Sequence, residues 1–133
     1  PLPENISRLK TNLQGFESRY ELHEVAVGLE NGHADFGFEA TGRYGGLKSN
    51  LPETIQVQVR KVEEIISSIL EKEDHIDILK IDVEGLETAI VKSLSPDNLK
   101  NINRVYAETI YSECLPGFDK EQYGEVVRFR KIL

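Results

Sequence analysis

The chain has 133 residues, 39% of them hydrophobic and 29% charged, a balance that fits one soluble globular domain and excludes a disordered chain. Its 16 Lys and Arg against 23 Asp and Glu leave a net charge of −7, which argues against broad nucleic-acid backbone binding. No apolar run approaches the roughly 18 to 20 residues of a membrane span, and no signal-peptide pattern occurs.

Cys114 is the sole cysteine and excludes an intrachain disulfide, so a reducing, cytoplasmic setting is the simpler reading. The chain opens at Pro1 and contains no Met. Either an initiator was trimmed or the 133 residues are one truncated domain of a longer protein, and the second reading is preferred on grounds given below.

In chain order, residues 3–13 read as a helix, with Pro3 suited to a first position and Ile6, Leu9 and Leu13 on one face. Gly15 is its stop. Residues 20–27 read as a strand, and Asn31-Gly32 as a tight turn. Ala34, Phe36 and Phe38 alternate with polar residues as in a half-buried strand. Residues 41–52, with Gly42, Gly45, Gly46 and Pro52, read as a mobile loop, with a substrate lid as the alternative.

Ile55, Val57 and Val59 alternate through a strand over 54–60, and Val62, Ile65, Ile66, Ile69 and Leu70 follow with helical spacing. Residues 77–82 read as an interior parallel strand, apolar on both faces except at Lys80. A helix follows through Leu86, Ala89, Ile90 and Leu94, and Ser95-Pro96-Asp97-Asn98 ends it. Residues 104–110 read as a strand. From Asp119 onward, Tyr123, Val126 and Val127 have the spacing of a last helix, with no strand after it. Strands alternating with helices predict an α/β fold with a mostly parallel sheet flanked by helices and a hairpin-like insertion.

The strand over 77–82 carries the chemistry. Asp82 stands at its end, Glu84 two residues on, and Gly85 permits a tight turn into the helix. Open α/β sheets place ligands beyond the carboxyl ends of parallel strands. The carboxylates suit a cationic or hydroxyl-bearing ligand, and the helix start offers backbone donors to an anionic one. Two uses stay open: chemistry, or capping of the next helix by Asp82 and Glu84. Glu108 would reach the same edge if its strand pairs in parallel with that of Asp82. An ion pair to a neighbouring acid would account for Lys80. His23, His33 and His75 show no metal-ligand spacing, and no metal is expected.

Three stretches resemble the FkbM-type family of class I S-adenosylmethionine-dependent methyltransferases. They are Pro1-Leu2-Pro3-Glu4-Asn5-Ile6 with Leu9 and Asn12; Val25-Ala26-Val27-Gly28 with Gly32 and Phe36; and residues 57–65 leading into Ile78-Leu79-Lys80-Ile81-Asp82-Val83-Glu84-Gly85 and Glu87. The resemblance implies a Rossmann-like sheet of seven strands. It places Ala26 and Val27 near the adenine of S-adenosylmethionine, Asp82 near the transferred methyl, Glu84 on the acceptor side and Glu108 as a second edge acid.

It also implies O-methylation of a small molecule or sugar hydroxyl. The family's Gly-rich cofactor loop and ribose-binding acid have no counterpart in this sequence, and its C-terminal strands are expected to be missing. In the family's order, two strands stand between the third and fourth, so a gap is expected between the 20–27 and 77–82 strands. Unpaired edges there would favour self-association. The competing reading is a non-catalytic α/β association module.

Overall fold

The structure, a computed structural model, describes residues 1–47 and 49–132. Its first helix, α1 (Pro3–Asn12), begins at a proline whose missing N–H costs a helix start nothing, and carries Glu4 in its first turn and Lys10 in its last. None of its residues is buried, so the face formed by Ile6, Leu9 and Leu13 is not a core face; Leu2, just before it, is buried instead.

Two four-stranded sheets follow. The first has the order β1-β4-β2-β3, from β1 (Ala26–Gly28), β2 (Gly32–Phe38), β3 (Gly45–Leu47) and β4 (Glu53–Lys61). β1 pairs with β4 in parallel, while β2 pairs antiparallel with both β3 and β4. The alternation in β4 works as the sequence predicts: Val57 and Val59 are buried and Gln56 and Gln58 are exposed. Asn31 fixes the turn before β2, its side chain accepting from the Lys61 amide at 2.8 Å and donating to Glu64 at 2.8 Å.

The second sheet has the order β5-β6-β8-β7, from β5 (Leu79–Ile81), β6 (Arg104–Ala107), β7 (Phe118–Tyr123) and β8 (Val126–Lys131). Helices α2 (Val62–Leu70), α3 (Glu87–Ser93) and α4 (Pro96–Leu99) contribute to its core. That core includes Val62, Ile66, Ile90, Val91, Ile102, Val105, Val127 and Phe129. The Tyr111 and Phe129 rings meet edge to face, 5.6 Å between centroids and 84° between planes.

Several expectations change. The sheets are mixed rather than mostly parallel: β1–β4 and β5–β6 are the parallel pairs, and the other four pairings are antiparallel. The helix expected from Asp119 is the β7–β8 hairpin, so the C-terminal strands expected to be missing are present. Tyr123, Val126 and Val127 match helical spacing by coincidence. The deciding pattern is Val127 and Phe129 buried two residues apart, after a turn in which Gly124 takes φ +58°.

The strand over 20–27 shrinks to β1, because only Ala26, Val27 and Gly28 find partners on β4. Glu21 and Glu24 in the preceding segment instead form ion pairs with Lys72 and Lys10. The loop over 41–52 contains β3. α3 ends at Ser93, just before Ser95 as expected, but Ser95 also caps a new helix, α4, accepting from the Asn98 amide at 3.3 Å.

Candidate active site

β5 and β6 run parallel with Ile81 opposite Ala107. The next residue of each strand, Asp82 and Glu108, therefore emerges at one sheet edge, and the Glu108 amide donates to the Ile81 carbonyl at 3.3 Å. The parallel pairing that the sequence reading required for Glu108 is the one observed. β5 is not an interior strand among the described residues, because it pairs with β6 alone, and Ile78 is 55% exposed.

Lys80 makes an ion pair with Asp82 at 2.5 Å, which explains a lysine in this strand. The hydrogen bond to Asp82, then the Asp82 and Glu108 charges, raise the Lys80 pKa above its ordinary value.

The chain then turns sharply. Glu84 has φ +47°, the one non-glycine described residue with positive φ, and Gly85 follows at +90°. Neither Asp82 nor Glu84 caps α3. Glu87, the first residue of that helix, reaches back instead: its carboxylate accepts from the Gly85 amide at 2.9 Å and the Val83 amide at 3.3 Å. Glu87 is buried, and these bonds satisfy it. Spacing could have pointed to it, since an acid opening a helix two residues after a glycine turn can fold back on the turn. The amides that Glu87 engages, Val83 and Gly85, belong to the turn and not to the helix start.

A groove joins this loop to the first sheet. One part, about 240 Å³, is lined by Val25, Ala26, Val27, Phe36, Leu47 and the 82–84 loop. The adjoining part, about 220 Å³, shares Phe36, Gly45, Asp82 and Glu84 and adds Asn5 and Arg43. The structure therefore brings Ala26, Val27, Asp82 and Glu84 together. Glu108 lines neither part. The lining sets two acids, Asp82 and Glu84, beside the apolar Ala26, Val27 and Phe36, and also includes Arg43 and the Pro1 amine, so its charge is mixed. Each part is smaller than the roughly 300 Å³ at which small-molecule sites begin, so the groove encloses only a portion of such a ligand. Among the described residues no group of three or more His, Cys, Asp or Glu is placed to hold a metal, and no helix is long and apolar enough to cross a membrane.

One strand-end acid of the parallel pair, Asp82, borders a groove at the sheet edge, where open α/β chains commonly bind small molecules. The sequence profile of the Methyltransferase FkbM domain matches residues 1–131, and the chain belongs to that family. No curated protein and no solved structure matches it. The family points to methyltransferase activity and to a methyl donor of the S-adenosylmethionine type.

Proposed function

We propose that this chain is the acid-bearing part of an S-adenosylmethionine-dependent O-methyltransferase that acts on a hydroxyl of a small molecule or sugar. The observation that carries the reading is the meeting of Asp82 and Glu84 with Ala26 and Val27 in one groove. Ala26 and Val27 would pack against the adenine, and Asp82 would face the cationic sulfur. Glu84 would accept the proton of the acceptor hydroxyl, a role that requires only that it reach the attacking oxygen. Glu108, one strand over, would extend the negative edge towards the acceptor. When bound, the donor supplies an electrophilic methyl for in-line attack by that oxygen, and the groove's task is alignment.

The two sheets bear on how much of the enzyme these residues make up. β1 and β5 do not pair with each other. Further strands between them, from a longer cytoplasmic protein, would complete one sheet and the cofactor site. Calorimetric titration with S-adenosylmethionine tests this. The protein extended upstream should bind and the 133-residue chain should not. Failure of the extended protein to bind removes the methyltransferase reading, whereas binding by the chain alone removes the need for added strands. Asp82→Asn should lower methyl transfer at least tenfold with little change in stability; equal loss of both would return Asp82 to a structural role.

The unpaired edges of β1 and β5 favour a second reading, a non-catalytic module that associates through them. Stable dimers in sedimentation, together with no cofactor binding by the extended protein, would favour it.

A further inference from the structure

Gly46 lies in β3, buried and paired with Gly37 of β2. A β-carbon added to it would stand 3.1 Å from the Glu84 carbonyl oxygen and 3.4 Å from the Glu84 Cβ. The backbone of a hairpin from the first sheet thus rests on the acid loop carried by the second. Glu84 holds a left-handed conformation that disfavours side chains, and such a residue stays there only where its surroundings fix it. Glu87 restrains the Val83 and Gly85 amides on either side.

We propose that Gly46 is a positioning residue: the absence of a side chain lets the β2–β3 hairpin press on the backbone of Glu84 and hold its carboxylate at the groove. The contact is independent of chemistry, and only its effect on turnover rests on the function proposed above. A methyl at position 46 forces a shift of a few tenths of an ångström at Glu84. Gly45 supplies the control, because a β-carbon there meets the Phe36 ring at 2.6 Å and not Glu84.

The test is amide NMR on the 133-residue chain. Gly46→Ala should move the Glu84 and Gly85 resonances and speed exchange of the Gly85 amide, which is bonded to Glu87, about tenfold, well beyond the effect of Gly45→Ala. Adding Glu84→Gly, which makes the left-handed turn permissive, should bring the Gly85 exchange rate back to that of Glu84→Gly alone. If Gly46→Ala does not fold, Glu84→Gly by itself should shift the amides of Gly46 and Leu47 in return, since coupling is reciprocal. Unmoved Glu84 and Gly85 amides in Gly46→Ala, or unmoved Gly46 and Leu47 amides in Glu84→Gly, overturn the proposal.

In the active methyltransferase, Gly46→Ala should lower kcat about 3- to 10-fold with the KM for S-adenosylmethionine unchanged, and add no further loss to Glu84→Gln. If Glu84→Gln leaves turnover intact, the catalytic role of Glu84 falls while the amide result still decides the contact. If Glu84→Gln slows turnover but Gly46→Ala adds its own loss to it, the positioning role falls.

Discussion

The two sheets have four strands each but differ in what supports them. The second is backed by a cluster of fifteen buried residues, with Val105, Val127 and Phe129 fully enclosed, whereas the first gathers five, among them Phe36 at 9% exposure. Gly28, Gly32, Gly37, Gly45 and Gly46 stand in the strands of the first sheet, and no glycine stands in those of the second. The second sheet is a packed scaffold, and the first is a thin layer in which backbone approaches backbone. The groove draws its acids from the scaffold and its apolar wall from the layer, so rigidity and adaptability meet at one site.

Substitution of the aromatic anchors tests this contrast most strongly. Phe129→Ala leaves a closed cavity beside Tyr111 and should cost about 3 to 5 kcal/mol in urea denaturation. Phe36→Ala opens onto the groove, so mainly the transfer of the ring to water is lost, about 1.5 to 3 kcal/mol by the same measurement. Equal costs would mean that the layer is as well supported as the scaffold. Glu87→Ala strips two amides of their acceptor and should cost about 1 to 3 kcal/mol, with faster exchange confined to the 83–85 turn.

A smaller effect is expected at alkaline pH. Burial, aided by the Glu113 charge and opposed by Lys92, raises the Tyr111 pKa. The stability that goes with its neutral form is fully present below the ordinary tyrosine value near ~10 and is lost as pH rises through the raised folded value. Tyr111→Phe should flatten that decline in urea midpoints measured from pH 8 upward. Smallest of all, Lys72→Ala removes the exposed pair with Glu21 and should leave the thermal midpoint unchanged within error. A clear drop would show that the segment before β1 helps to hold the thin layer in place.

Legibility did not follow the division between layer and scaffold: elements in either could be read where hydrophobic period and element type agree. β4, α2 and α3 stand where the sequence puts them, and Asp82 and Glu108 share the expected edge. The β7–β8 hairpin was missed because Lys120, Arg128 and Arg130 interrupt its apolar residues, leaving a false 3.6-residue spacing as the stronger signal. The antiparallel share of the sheets was hidden too, since strand direction depends on connections that periodicity does not report. At the site, the acids could be read from their position after an apolar strand. The backward reach of Glu87 and the approach of Gly46 are contacts of folded backbone, and no local pattern encodes them.

The Lys80–Asp82 pair has a consequence for recognition. Lys80 is a resident counter-ion, so any cation that takes Asp82 must share the carboxylate with it or displace it. Affinity for a positively charged ligand is therefore the difference between two pairings rather than the strength of one. Both side chains are exposed, Lys80 at 67% and Asp82 at 43%, so that competition is weak and salt-screened; in the function proposed above, selectivity at Asp82 would have to come from what else the cation's bearer touches, Ala26 and Val27 included.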